Sequence, residues 1–178
     1  MLKEFNLLAS TARGNERMMI HELLFLLKDA LGDADAVAGK TGVRGLIAAK
    51  TSLDPYVAVE KLRELLAERP YEFRFALRII PIERVVPSEL EEIKQVALEL
   101  AKRIGESETF RVTVEKRFTT LHTNDIINAV ATDIERKASM TNPDKILLIE
   151  IIGAYAGVSL VKPNEVISVM KEKMVSPD

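Results

Sequence analysis

The stretches TFRVTVEKR at residues 109–117 and ILLIEII at residues 146–152 decide the fold of the second half of this chain. In the first stretch apolar and polar residues alternate, which places Phe110, Val112 and Val114 on one face, as is typical of a half-buried β-strand. The second stretch is almost continuously apolar, as is typical of a central strand. We therefore predict a β-sheet that is built around these two strands.

One helix is predicted before the strand at 109–117 in the chain, and another after it. Ser88 and Glu91 have the spacing of a capping box, in which each side chain binds a free backbone N–H group of the other residue, so a helix is predicted to begin here. Gly105 is predicted to end this helix. Apolar residues at helical spacing predict a second helix over 123–137. A last strand is predicted over 154–161, so this half combines helices with a sheet.

The first half of the chain predicts the order strand, helix, strand, strand, helix, strand. The segments are, in that order, residues 5–11, 15–31, 34–40, 43–50, 55–69 and 73–86. Asp54 as a cap followed by Pro55 is the favoured order for a helix start and predicts the beginning of the helix over 55–69. This order is that of the split βαβ, or ferredoxin-like, arrangement, in which two helices cover one face of a sheet. Pro81 lies within the last segment, and because proline cannot donate to a sheet ladder, we expect a bulge, an edge or a bend there.

Pro87 marks the predicted boundary between two domains, 1–86 and 87–178, and the fold class is α+β. The chain has 25 Lys and Arg residues against 27 Asp and Glu residues, which gives a net charge of -2. This balance does not by itself indicate a nucleic-acid partner, so any basic surface must come from local arrangement. The residues from Pro87 onward form the more acidic half.

Catalytic and metal chemistry have few candidate residues in this sequence. The chain has no cysteine, which excludes disulfides and thiol catalysis, and its two histidines, His21 and His122, are too few for a histidine-based metal site. Gly39-Lys40-Thr41 is similar to the end of a phosphate-binding loop, but Ala34 stands where that loop has glycine, so we interpret the segment as a hairpin turn. We therefore expect no catalytic residues, no metal and no cofactor, and hence not an enzyme.

The amino terminus does not have the layout of a signal peptide, because Lys3 and Glu4 interrupt its apolar residues. The sequence also has no run of about 18 apolar residues, the length that a membrane-spanning helix needs. These two features predict a cytoplasmic protein without a membrane segment.

Three short phrases in the second half occur in the order and near the spacings found in THUMP domains. They are Glu115-Lys116-Arg117 at a strand end, Asn142-Pro143-Asp144 before the central strand and Ala156-Gly157-Val158-Ser159 in the last strand. The region 87–178 therefore resembles a THUMP domain, a tRNA-binding module whose helices pack on a mixed β-sheet. In the first half, Thr11-Ala12-Arg13-Gly14-Asn15-Glu16-Arg17 resembles a segment of small THUMP proteins that assist a cytidine N4-acetyltransferase acting on tRNA.

The resemblance implies an RNA-binding surface, for which basic residues at strand ends and at a helix start are the candidates. Lysine and arginine neutralise phosphates, a glycine lets a phosphate approach the backbone closely, and a helix amino terminus attracts anions. We expect the residues at the strand ends to converge on one rim of the sheet. Solvated or ion-paired surface positions are the alternative for each. The candidate RNA-binding residues are Arg13, Arg17, Arg111, Lys116, Arg117, Lys145, Gly157 and Lys162.

The resemblance also implies a role. THUMP domains often share a chain with a methyltransferase, thiolase or deaminase domain, and no such domain follows here. We therefore expect a non-catalytic adaptor that binds tRNA and presents it to a separate modifying enzyme, with a cytidine N4-acetyltransferase as the partner. The alternative is a protein–protein interaction module without direct RNA binding, which the acidic balance of the second half favours.

Overall fold

The computed structural model describes residues 1–175 and divides into two compact units. Unit 1 comprises Met1–Ile82 together with the segment that begins at Glu165, and unit 2 comprises Glu83–Asn164. The fold is mixed α+β, as the sequence predicts, with two sheets and, among residues 1–175, five α-helices.

The elements are named here in chain order. They are β1 (Leu7–Ser10), α1 (Glu16–Leu24), which continues as a π-helix over Phe25–Ala30, β2 (Val37–Lys40), β3 (Leu46–Lys50), α2 (Pro55–Glu68), β4 (Arg78–Pro81), β5 (Arg84–Pro87), α3 (Leu90–Ala101), β6 (Thr109–Arg117), α4 (Thr123–Ala131), β7 (Lys137–Ala138), β8 (Lys145–Ile152), β9 (Tyr155–Val161), β10 (Ile167–Ser168) and α5 (Val169–Val175).

Unit 1 contains a five-stranded sheet in the order β10-β4-β1-β3-β2, and every neighbouring pair in it is antiparallel. From β1 to β4 the elements follow the predicted order of strand, helix, strand, strand, helix, strand. Both helices contribute to one core with the sheet; its members include Met19 and Leu23 of α1, Leu62 of α2, and Ile47 and Ile79 of the strands. The apolar residues of both helices thus face the sheet, as is typical of amphipathic helices.

The α2 helix begins as its sequence predicts. Asp54 is the N-cap, and its carboxylate accepts hydrogen bonds from the backbone N–H groups of Tyr56 at 2.9 Å and Val57 at 3.2 Å. Pro55 occupies the first helical position, where no donor is needed. The cap therefore satisfies two of the N–H groups that a helix start leaves without a helical partner.

The prediction of one strand over 73–86 is wrong. This segment forms two short strands, β4 and β5, which lie in different sheets and are separated at Ile82 and Glu83. Pro81 ends β4, in agreement with the expected interruption. Because β5 pairs with β9, unit 2 begins before Pro87, and because β10 pairs with β4, the chain returns to unit 1 after Asn164. The units therefore differ from the division into 1–86 and 87–178.

Unit 2 contains a five-stranded mixed sheet in the order β5-β9-β8-β6-β7. Its central strand β8 is parallel to β6 and antiparallel to β9. Helices α3 and α4 share a core with one face of the sheet; Ile93 and Ile126 of the helices are fully buried there, together with Leu147 of β8. Phe110 and Val112 of β6 are also in this core, which confirms the predicted alternation.

The predicted capping box at the start of α3 does not form. The helix begins at Leu90 with Glu89 at the N-cap position, and no side chain caps it. The Ser88 hydroxyl instead donates to the carbonyl oxygen of Gly153 in the β8–β9 turn, at 2.5 Å. A serine hydroxyl can accept from a helix N–H group as a cap or donate to a nearby carbonyl oxygen, and only the tertiary position of the turn decides between them.

The buried carboxylate of Glu22 on α1 holds the loop before β4. Its two oxygens accept hydrogen bonds from three consecutive backbone N–H groups, those of Arg74 at 2.7 Å, Phe75 at 3.0 and 3.1 Å, and Ala76 at 2.8 Å. The side chain of Thr11 donates to the carbonyl oxygen of Phe75 at 2.8 Å. The loop has no strand partner of its own here, so these bonds replace a sheet ladder.

A second buried carboxylate, Asp33, ties the end of the first helix to the segment after β3. It accepts hydrogen bonds from the Thr51 hydroxyl at 2.5 Å, from the Ser52 backbone N–H at 3.0 Å and from the Ser52 hydroxyl. Burial raises the pKa of Asp33, but the hydrogen bonds from Ser52 and Thr51 outweigh it and hold the pKa below its ordinary value of 3.8.

Within the 175 residues that the structure describes, the helices lack the combination of length and hydrophobicity that crossing a bilayer requires.

We predict that replacing Glu22→Gln lowers the free energy of unfolding by about 2 kcal/mol, because an amide cannot accept from all three N–H groups and leaves a buried donor unsatisfied. Urea denaturation measures this loss. The control is Glu64→Gln on the exposed side of α2, which should change the free energy by less than about 0.5 kcal/mol. Equal midpoints for the two variants would contradict the role of Glu22.

Asp33 should make stability depend on pH. Because its pKa is lowered on folding, its contribution is present above the pKa of the unfolded state and is lost as pH falls through the lower pKa of the folded state. We therefore expect the stability difference between the native chain and an Asp33→Asn variant to be constant near neutral pH and to shrink below about pH 4. A difference that stays constant into strong acid would refute this assignment.

Candidate nucleic-acid interface

The basic residues predicted at the strand ends of unit 2 lie at two opposite ends of the sheet. Lys145 begins β8 and pairs in register with Phe110, whereas Arg117 pairs with Ile152 at the other end of β8. Eight residues of β8 separate these ends, a distance of roughly 23 Å at the rise of a β-strand. The structure therefore does not bring the predicted residues together on one rim.

At the first end, Arg111, Lys145 and Lys162 are grouped by the register, since Lys162 directly follows the pair of Val161 with Ile146. Here Lys145 is neutralised: its ammonium group lies 2.7 and 2.8 Å from the two carboxylate oxygens of Glu108. That ion pair, with a hydrogen bond from the backbone of Gly105, lowers the pKa of Glu108.

Arg111 is held by neutral groups at the same end. Its guanidinium donates to the carbonyl oxygen of Met140 at 2.9 Å and to the hydroxyl of Thr113 at 3.2 Å. Asp144 of the predicted Asn142-Pro143-Asp144 phrase accepts from the backbone and hydroxyl of Thr109, and these bonds lower the pKa of Asp144. The phrase thus fastens the turn before β8 to the start of β6.

At the second end, Arg117 forms an ion pair with the buried Glu150 of β8. The guanidinium nitrogen lies 2.7 Å from the carboxylate oxygen, and the Glu150 side chain is 2 % exposed. Lys116, on the other face of β6, is exposed and donates to the carbonyl oxygen of Leu121 at 3.0 Å. Among residues 1–175, Lys116 therefore has no carboxylate partner, whereas Arg117 is paired with Glu150.

Next to Lys116 lies a surface cavity of about 640 Å³ that sequence reasoning missed. Phe118 is one of its lining residues; it is 75 % exposed and has a φ of 57°, a conformation that a bulky residue seldom adopts. The turn that follows the basic strand end was visible in the sequence, but nothing in it marked the exposure of Phe118. The cavity is lined by Ser88, Glu89, Leu90, Phe118, Thr119, Thr120, Leu121 and Gly153.

Gly157 lies in the middle of β9, between β5 and β8, where it pairs with Val85 and Glu150. The residue is buried, so a phosphate does not reach its backbone in this arrangement. Arg13 and Arg17 of unit 1 are both exposed, Arg13 in the turn before α1 and Arg17 in its first turn. Within residues 1–175, neither of these side chains has a hydrogen-bonding or ion-pairing partner.

The comparison with protein families decides what unit 2 is. Residues 87–161 match the family model of the THUMP domain. The chain contains a THUMP domain. The match begins at the last residue of β5 and ends at the last residue of β9, so it covers the helices α3 and α4 and the central strands described above. No curated protein is similar enough in sequence to match the chain.

Several solved structures share the fold over most of this chain. PH1313 from Pyrococcus horikoshii has a TM-score of 0.61 at 21 % identity and covers 89 % of this chain and 55 % of its own. TrmN from Thermus thermophilus has a TM-score of 0.63 at 16 % identity, with 88 % and 45 % covered. A 4-thiouridine synthetase in complex with RNA and ATP has a TM-score of 0.54 at 16 % identity, with 89 % and 42 % covered. The chain thus spans about half the length of these structures.

The prediction that the protein is not an enzyme is wrong. It rested on the few candidate catalytic residues and on the expectation that no catalytic domain accompanies the THUMP region, but a similar fold occurs in the 4-thiouridine synthetase with its bound ATP. Since a similar fold occurs in a protein named as a synthetase, this fold does not indicate a protein without enzymatic activity.

We predict that the Arg117–Glu150 ion pair stabilises the fold, an effect that is measured separately from any role of Arg117 in RNA binding. Replacing Arg117→Ala removes the guanidinium that lies 2.7 Å from the buried carboxylate of Glu150, so we expect the free energy of unfolding to fall by about 3 kcal/mol. Chemical denaturation measures this loss. Adding Glu150→Gln should recover part of it, and Lys116→Ala serves as the control with little change. No recovery in the double variant would show that the ion pair is not the cause.

Proposed function

We propose that this protein binds tRNA and presents it to the catalytic unit of a tRNA-modifying enzyme. The THUMP domain at 87–161 carries the proposal, because this module is associated with RNA binding. The 4-thiouridine synthetase, which has a similar fold, was solved in complex with RNA, and this also supports RNA binding. The contribution of the chain is to orient the tRNA, which lowers the entropic part of the reaction barrier at the site of modification. We infer that this takes place in the cytoplasm.

The proposed modification is acetylation of cytidine at N4. Its support is the segment 11–17, whose sequence resembles that of small THUMP proteins that assist such an acetyltransferase. We further propose that unit 1 is a ferredoxin-like domain. The alternation of strands and helices from β1 to β4 and the antiparallel order β4-β1-β3-β2 support this proposal.

The proposed RNA contacts follow from the charges that the protein leaves available. Lys116 beside the cavity and Arg13 and Arg17 of unit 1 are exposed and have no carboxylate partner among the described residues. Arg117 and Lys145 are bound to Glu150 and Glu108, so we assign them a structural role first. Phosphate binding through Lys116, Arg13 and Arg17 predicts that the affinity for tRNA depends strongly on salt.

A second candidate function is an interaction with another protein. The exposed Phe118 at the edge of the cavity favours it, because large aromatic side chains are enriched at protein interfaces. The ion pairs Arg117–Glu150 and Lys145–Glu108 of unit 2 also favour a protein partner, because they reduce the positive charge that would attract a phosphate backbone.

Fluorescence anisotropy with labelled bulk tRNA and the full chain tests the proposed function. We expect a dissociation constant of roughly micromolar at low salt that weakens steeply between about 50 and about 200 mM salt, because phosphate binding releases counterions. Affinity that does not change with salt, or no binding at the lowest salt, would contradict direct tRNA binding and favour the protein-interaction function.

A further inference from the structure

The segment Thr11–Arg17 connects β1 to the first turn of α1 and is here called the corner. Its residues divide into those that hold the turn in place and the arginines. Thr11 donates from its backbone N–H to the carbonyl oxygen of Gly45 at 2.9 Å, and its side chain holds Phe75. Glu16 accepts from the backbone N–H of Gly45 at 2.8 Å. Gly14 has a φ of 96°, which favours glycine. Thr11, Gly14 and Glu16 are thus occupied in building the corner.

Gly45 is the partner of this corner in the turn between β2 and β3. It has a φ of 78°, and a Cβ at this position would lie 2.7 Å from the carbonyl oxygen of Thr11 and 3.9 Å from the Cγ of Arg13. Any other residue would force the two segments apart. The β2–β3 turn is therefore fixed directly against the segment that carries Arg13.

Unlike the other residues of the corner, its arginines make no hydrogen bond or ion pair through their side chains within residues 1–175. Arg13 and Arg17 are exposed, and so is Arg44, which directly precedes Gly45. Across residues 1–175 none of these three side chains has a partner in the protein. Lys40 is also exposed; it ends β2 and pairs with Ile47 of β3, two residues after Gly45. The hydrogen bond from the backbone N–H of Gly45 is the main cause that lowers the pKa of Glu16, and the charge of Lys40 adds to it.

We propose that Arg13, Arg17, Lys40 and Arg44 form one phosphate-binding surface on unit 1, here called the corner cluster, which contacts the RNA backbone. The proposal rests on the proposed function and adds to it Lys40 at the end of β2 and Arg44 in the β2–β3 turn, which had no assigned role. Side chains on two separate elements spread positive charge over an area, which suits a polyanion better than a single phosphate. Glu16 is a positioning residue, since it holds Gly45 and thereby the side chains on both segments.

The first experiment compares two charge-matched variants of the full chain in tRNA anisotropy across a salt series. One replaces the corner cluster (R13Q, R17Q, K40Q and R44Q), and the control replaces four other exposed lysines of unit 1 (K3Q, K28Q, K61Q and K171Q). We expect the first variant to bind about tenfold more weakly or worse, and its logarithmic salt slope to fall by about 3. The control should lose much less of both. Equal urea midpoints establish that both variants are folded.

The second experiment separates position from charge at Glu16. Glu16→Gln removes the negative charge and keeps an acceptor for Gly45, so this variant should bind tRNA at least as tightly as the native chain. Glu16→Ala removes the same charge together with the acceptor, and should bind more weakly because the corner loosens. If both variants bound more tightly to the same degree, Glu16 would act through its charge alone and the positioning role would be refuted.

The outcomes distinguish this inference from the proposed function. If the native chain binds tRNA with a steep salt dependence and the corner-cluster variant does so equally well, the inference fails and the proposed function stands. Equal losses in both charge-matched variants also overturn it, because general charge would be the cause. If the native chain does not bind tRNA at any salt, both fail. Saturable binding of ATP that the corner-cluster variant loses would assign the surface to a free nucleotide instead.

Discussion

Strand β8 is the constraint on which the geometry of unit 2 depends. It is hydrogen-bonded along its length to β6 on one side and to β9 on the other, and its residues from Ile146 to Ile152 are buried. A shift by one residue would remove Leu147, Ile149 and Ile151 from the core that they share with α3 and α4, so this core fixes the register. The register in turn sets which basic residues of β6 and β9 lie near one another and which do not.

Electrostatics follow from this register. Glu150 is placed in the buried part of β8, and a buried carboxylate requires a counter-charge, which Arg117 supplies from the neighbouring strand. Glu108 engages Lys145 in a similar way at the opposite end. The acidic excess of this half of the sequence is therefore not a uniform surface charge, because some carboxylates neutralise the cations that looked most available for RNA.

The sequence predicted the parts of the fold that depend on local patterns. Alternation identified β6, continuous apolar character identified β8, and Asp54 with Pro55 identified the start of α2. It failed where a distant segment chooses between two local possibilities: Ser88 binds the Gly153 turn rather than its own helix, and residues 73–86 divide between two sheets. Likewise, strand-end cations could be named from sequence, but their distribution over two ends depends on pairing register, and the exposure of Phe118 depends on a turn conformation.

Local charge, rather than net charge, governs how a chain with a net charge of -2 could hold a polyanion. At physiological salt a charge is screened beyond about 8 Å, so the balance over the whole chain matters less than the few groups near a phosphate. In the segment from Thr11 to Arg17 the threonine and the glutamate bind backbone groups and the glycine permits the turn, whereas the arginines have no partner among residues 1–175. A short motif can therefore specify a basic surface without making the chain basic, because its other residues fix the positions of its cations.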